Sequence, residues 1–337
     1  MIPVTVLTGA LGAGKTTLLN AVLRARDESG PDAAIAVVVN EFGAVGIDHA
    51  LVEAASEAVV LLPGGCACCT VRADLADAFR RLEQAARDGR VPAFRRIVVE
   101  TSGLAEPGPI LQLFAERAAL SARFRLDAVV TVVDALLAAA ALDAGGSALR
   151  QVELADRLLV TKWESADRAA LAALDARLAK LNPFADVVHA QAGSGDAAWF
   201  DAAPLRATRA VPAYALTAIH DDAVGSFVLA WSARPALPAI GAWLDGLAQG
   251  LGARLLRVKG IVGAEALDAA IAIHAVQHLV GAPDRLPQAP PATSRVVFIV
   301  RGLEPGDVLP PWPCAGEAPA VPRPPSRRDT GRWLATT

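Results

Sequence analysis

With 337 residues the chain is long enough for two domains and at least one large core. Its formal net charge of −3 provides no electrostatic footprint for nucleic acid, and its longest apolar stretch, Ala128 to Leu142, is cut by Asp134, which argues against a bilayer-spanning helix. The amino terminus lacks a positively charged region, and three of the four cysteines crowd at Cys66, Cys68 and Cys69, so a protein of the reducing cytoplasm without a disulfide framework is expected.

The first 200 residues alternate Val/Ile-rich runs with longer Ala/Leu/Arg-rich periodic segments, which predicts an α/β fold with a mostly parallel sheet flanked by helices. Strands are expected near 3–8, 34–39, 58–62, 96–100, 127–133, 156–161 and 186–190, and helices near 15–26, 71–87, 108–119, 147–154 and 166–181. The first strand, Pro3 to Thr8, runs into Gly9-Ala10-Leu11-Gly12-Ala13-Gly14-Lys15-Thr16, a phosphate-binding loop followed at once by a helix whose positive end faces the anion. Gly9 and Gly14 permit close backbone approach, Lys15 neutralises β/γ oxygens and the Thr16 hydroxyl can ligate Mg²⁺; Gly12, Ala13 and Thr17 belong to the same nucleotide-binding set. Lysine is scarce, four against twenty-eight arginines, which makes one at this position informative.

Asn40-Glu41-Phe42-Gly43 follows the second strand, where a switch segment should lie, and Glu41 can hold Mg²⁺ or a transported metal. Pro63-Gly64-Gly65-Cys66-Ala67-Cys68-Cys69 then places three thiols at a strand-to-helix junction, where a helix amino terminus favours thiolate. Three soft ligands suit Zn²⁺ or Co²⁺ and leave a fourth position for Glu41, water or a partner. Ile97-Val98-Val99-Glu100-Thr101-Ser102-Gly103 is an apolar strand ending in an acid, which suits the metal side of a phosphate-loop enzyme, with the Gly103 N–H able to face a γ-phosphate. Thr161-Lys162-Trp163-Glu164 follows a late strand; there the Lys162 stem can pack on a base while Glu164 accepts from guanine's paired donors, which adenine lacks.

After about residue 205 the pattern changes to a smaller α+β domain, with strands expected at Val211 to Ile219, Arg254 to Val262, Ile271 to Val280 and Arg295 to Arg301, and a helix near Ala236 to Leu251. The resulting division is 1–205, a phosphate-loop domain; 206–302, the smaller domain; and 303–337, a loosely ordered tail in which eight of 35 residues are proline. His274 and His278 are four apart with nothing soft nearby in sequence, so a structural role is expected for both.

In combination these motifs resemble the CobW family of GTP-binding metal chaperones, over roughly residues 3–302. The likeness rests on Gly9–Thr16, on Asn40-Glu41-Phe42-Gly43 continuing to Gly46-Ile47-Asp48, on the C-x-C-C at Cys66–Cys69, on Glu100-Thr101-Ser102-Gly103-Leu104-Ala105-Glu106-Pro107, and on Leu181-Asn182-Pro183 and Arg295 to Ile299. It implies a GTPase that binds zinc or cobalt through the three cysteines and couples delivery to GTP and Mg²⁺. The partner it implies is a client metalloprotein; charge and hydropathy lead to an expectation of no nucleic acid and no membrane, and whether the chain forms a homo-oligomer stays open. Three departures stand out: Glu164 replaces the family's guanine-reading Asp, no histidine-rich stretch is present, and the tail after Leu303, with Trp312 and Cys314, matches no family segment. Hydrolysis is expected to be slow, Arg72 being the one candidate for an arginine finger. A metal-sensing or buffering module with negligible turnover and an ATP-dependent small-molecule kinase are the alternatives.

Overall fold

Short runs dense in Val, Ile and Leu, most of them followed by a helix, assemble in the amino-terminal part into one seven-stranded parallel sheet. The computed structural model describes residues 1–27, 34–40, 59–61, 70–116, 123–182, 185–191, 193–201, 214–217, 224–276, 279–281 and 283–303. They divide into two compact units, Met1–Arg206 and Ala207–Thr337.

In the first unit β1 (Ile2–Gly9), β2 (Ile35–Asn40), β3 (Val59–Leu61), β4 (Arg96–Thr101), β5 (Phe124–Asp134), β6 (Arg157–Thr161) and β7 (Asp186–His189) lie in the order β3-β2-β4-β1-β5-β6-β7. Strand β1 is central, and Val4, Val6 and Leu7 are fully buried because helices cover both faces of the sheet. On one face α1 (Lys15–Asp27) inserts Leu18, Leu19, Val22 and Leu23 against Leu7, Val37, Val130 and Leu159. The other cover includes α2 (Thr70–Arg87), whose Leu75, Phe79 and Leu82 recur at helical spacing and are buried; Phe79 meets Phe114 of α3 (Gly108–Glu116) and Phe124 at ring distances of 6.0 and 5.2 Å.

The run Ala128 to Leu142 splits at Asp134: the strand ends there and a short helix, α4 (Ala138–Asp143), follows, which the sequence reading did not anticipate. Next come α5 (Gly146–Glu153) and α6 (Arg168–Leu181), the latter begun by Asp167, whose carboxylate accepts from the N–H groups of Ala169 and Ala170. Val152, Leu174, Leu178 and Leu181 from these helices pack with Leu158 and Val160. The segment after β7 returns beneath the sheet and buries Phe200 completely. Two buried arginines hold it: Arg96 donates to Thr5 Oγ1 (2.7 Å), the Phe200 carbonyl (2.8 Å) and Asp201 (2.8 Å), and Arg157 pairs with Asp186 and donates to the Ala198 carbonyl.

Parallel strands end on one edge, so Gly9, Asn40, Thr101, Asp134, Thr161 and His189, the last residues of β1, β2, β4, β5, β6 and β7, face the same side. In open α/β sheets this is the edge where ligands bind.

The second unit is a separate sheet of antiparallel strands, β8 (Tyr214–Thr217), β9 (Val224–Trp231), β10 (Leu255–Val262), β11 (Ile271–Val276), β12 (Leu279–Val280), β13 (Asp284–Arg285) and β14 (Ser294–Arg301). One face is covered by α7 (Leu237–Leu251), whose Ile240, Trp243, Leu244 and Leu247 meet Phe227, Leu229, Val258 and Phe298. Two corrections apply. Strand β9 was missed although it pairs with β14 along its full length, and the single expected strand Ile271 to Val280 is two, β11 and β12.

Candidate functional site

The phosphate loop takes its shape from three glycines at positive φ, Gly9 (143°), Gly12 (73°) and Gly14 (95°), a region open to glycine at no steric penalty. Gly9 is further constrained because a Cβ there would lie 2.3 Å from the Val132 carbonyl of β5. Ala13 is fully buried beneath the loop, and α1 starts at Lys15 with no acidic residue in its first turn, so its positive end is left for an anion. Lys15, 8% exposed, lies across the loop and donates from Nζ to the carbonyls of Gly9 (3.0 Å) and Ala10 (3.2 Å).

Strand β4 delivers the next residues because it runs beside β1 in register, Leu7 opposite Glu100. Glu100 is buried, and its Oε1 accepts from the Thr16 hydroxyl at 2.7 Å; Thr101 donates to Thr8 at 2.8 Å and ties the strand ends together. The hydroxyl and the carboxylate that meet here are hard oxygen donors, the kind Mg²⁺ takes. Gly103 sits directly on the loop: a Cβ there would lie 2.5 Å from the Leu11 nitrogen and 2.6 Å from its Cα.

On the opposite side of the loop, Thr161 donates from Oγ1 to the Ala13 carbonyl (2.8 Å). Lys162 adopts a left-handed conformation (φ 57°) and donates from Nζ to the Gly12 carbonyl (2.9 Å) and to Asp134 Oδ2 (2.5 Å). Thus Thr161, Lys162 and the phosphate loop form one assembly, while Glu164 lies exposed in the short helical turn Trp163–Ser165. Trp163 stacks on His189 with ring centroids 5.7 Å apart, and His189 Nε2 lies 3.0 Å from Asp175 Oδ1. A cleft of about 250 Å³ opens between α1 and the loop after β7, lined by Thr17, Ala21, Arg24, Ala25, Gly193 and Gly195.

The structure therefore brings together Gly9, Gly12, Ala13, Gly14, Lys15, Thr16, Glu100, Gly103, Thr161 and Lys162 on one edge. Glu41, Gly43, Cys66, Cys68 and Cys69 lie outside the described residues, as does the side chain of Arg72. Among the described residues no group of three or more His, Cys, Asp or Glu side chains gathers to hold a metal ion.

Sequence reasoning missed three residues that shape this edge. Asp134 positions Lys162, Trp163 braces His189, and Gln151 of α5 donates from Nε2 to the carbonyls of Gly103 (3.2 Å) and Ala105 (3.0 Å). An acidic residue interrupting the apolar run Ala128 to Leu142 was the signal available for Asp134; Gln151 lies in a mixed stretch that offers none.

Residues 3–189 match the model of the CobW/HypB/UreG nucleotide-binding domain, and residues 224–309 match that of the cobalamin synthesis protein CobW C-terminal domain. The chain is 41% identical over 186 residues to the zinc chaperone YjiA of Escherichia coli, covering 55% of this chain and 56% of that protein. It is 36% identical over 202 residues to the zinc-regulated GTPase metalloprotein activator 1 of Schizosaccharomyces pombe, covering 58% and 47%. The chain thus spans about half the length of the curated relatives it matches. The crystal structure of Zn(II)-bound YjiA GTPase from E. coli superposes with a TM-score of 0.64 at 27% identity, covering 91% of this chain and 96% of that one. With the match to the nucleotide-binding model running over more than half of its length, the chain belongs to the CobW/HypB/UreG family.

Proposed function

We propose that this protein binds and hydrolyses GTP with Mg²⁺, and that it carries zinc or cobalt on Cys66, Cys68 and Cys69 for delivery to a client metalloprotein. The observation that carries the nucleotide part is the meeting of Thr16 with the buried Glu100 at 2.7 Å, on the edge where Lys15, Gly103 and Lys162 also converge. In this reading the loop N–H groups and Lys15 take the β- and γ-phosphate oxygens, and the Gly103 N–H takes a γ-oxygen. Thr16 and Glu100 are the residues for Mg²⁺, with Glu41 a further carboxylate for it or for the transported metal; bound there, the ion neutralises charge that develops on the phosphates. Lys162 supports one face of the base, and Glu164 reads guanine.

The cargo part is supported by the thiol spacing, by family membership, and by the names of two relatives as a zinc chaperone and a zinc-regulated activator. Coupling requires that metal affinity differ between GTP and GDP states by the usual size of linkage between sites, roughly fivefold to 150-fold. Titration of Zn²⁺ and Co²⁺ into the protein and into a Cys66/Cys68/Cys69→Ser variant, each with GTP, GDP or neither, tests this. Loss of tight metal binding in the variant and nucleotide-dependent affinity in the parent are expected; unchanged metal binding in the variant overturns the site. Single-turnover hydrolysis of bound GTP, with ATP as competitor, tests the enzyme part.

A further inference from the structure

We propose that Gln151 is the positioning residue of the γ-phosphate-facing turn, a role that rests on the nucleotide reading above. Residues 102–105 form a tight turn closed by the Ala105 N–H on the Ser102 carbonyl (3.0 Å). Leu104 is 71% exposed, whereas Ser102 is buried and its hydroxyl accepts from the Leu104 N–H within the turn itself (3.4 Å). Among the described residues, the hydrogen bonds that reach this turn from elsewhere in the chain come from Gln151, whose amide donates to the carbonyls of Gly103 and Ala105.

The geometry of those two bonds matters. They fix the peptide planes after Gly103 and after Ala105, while the turn's own bond fixes the plane before Gly103. Together they set the direction of the Gly103 N–H, at a position where Gly103 already touches Leu11 of the phosphate loop. A donor can hold this geometry only if it does not itself move. Gln151 is 1% exposed, its carbonyl accepts from Thr131 of β5 (2.7 Å), and its neighbour Val152 is buried in the core beside β6. Asn182 caps the end of α5 by donating to the carbonyls of Val152 (2.8 Å) and Ala155 (2.8 Å). The carboxy-terminal end of the helix is thus braced from two sides, and its one buried amide points at the turn.

The variants are Gln151→Leu, which removes both donors at similar volume, and Gln151→Glu, which keeps the shape but offers an acceptor to two carbonyls. Hydrogen exchange of the peptide spanning 101–107 in nucleotide-free protein should quicken at least about tenfold in either variant, the scale of one to two lost buried hydrogen bonds. Single-turnover hydrolysis should slow at least about tenfold while GDP affinity stays within twofold, because GDP lacks the γ-phosphate that the turn is read to face. Unchanged exchange and unchanged hydrolysis in a folded variant overturn the proposal. So does a parallel loss of GDP and GTP affinity, which marks a general structural defect. Should the parent protein hydrolyse no GTP, the nucleotide reading falls on that result alone, and the exchange rate still decides whether Gln151 holds the turn.

Discussion

Replacing Gly103 by alanine tests whether the turn after β4 and the phosphate loop are built to a common fit. Gly103 has no positive φ, so alanine meets no conformational penalty there and the conflict is purely steric. The added Cβ would lie 2.5 Å from the Leu11 nitrogen, 2.6 Å from its Cα and 3.1 Å from the Ala10 carbonyl carbon, all backbone atoms with no rotamer to swing away. Ordinary contact begins near 3.4 Å, so loop and turn must part by roughly 0.9 Å. An N–H···O bond to phosphate of about 2.9 Å does not survive such a displacement. Losing two charge-assisted bonds, at about 1.5–3 kcal/mol each, corresponds to a drop in triphosphate affinity of about 10² to 10⁴-fold. Titration of a fluorescent GTP analogue, with a thermal melt as folding control, measures it. If Gly103→Ala binds GTP within threefold of the parent at an unchanged melting temperature, the argument for a shared fit is wrong.

Two further outcomes follow from the same geometry. Asn182→Ala removes a buried amide that donates to the carbonyls of Val152, Glu153 and Ala155, and should destabilise the first unit by about 2–4 kcal/mol in urea unfolding; a change below about 0.5 kcal/mol would show that α5 needs no such cap. Glu164→Ala should cut the preference for GTP over ATP by about tenfold to a hundredfold in a competition assay; an unchanged ratio would mean that Glu164 does not read the base.

The residues that sequence could find are those whose duty is local. Gly9, Gly12 and Gly14 announce the loop because their positive φ and close approach are properties of the loop itself, and Thr16 and Glu100 each sit at a predictable boundary between strand and helix or turn. Gln151 acts on carbonyls 48 and 46 positions away, and nothing in the Gly146–Glu153 stretch, polar at several positions, distinguishes it from a helix residue facing water. Asn182 was noticed as part of Leu181-Asn182-Pro183, yet its work on Val152 and Ala155 is visible only once the chain has folded back. Strand β9 was missed because Gly225 and Ser226 interrupt its apolar alternation, whereas pairing from Val224 against Arg301 to Trp231 against Ser294 holds it regardless.

The tie between Phe200 and the underside of β1 bears on where this protein can be divided. Similarity to the nucleotide-binding model stops at residue 189, but Phe200 fills the core, and Arg96 and Arg157 spend their donors on carbonyls between 198 and 201. A fragment trimmed to the limits of that similarity would strip a phenylalanine worth about 1.5–3 kcal/mol from the interior and take the carbonyl partners from two buried guanidinium groups, leaving Arg96 with Asp127 and Thr5 and Arg157 with Asp186 among the described residues. The independently folding portion must therefore be cut beyond Asp201, in the stretch leading to Arg206.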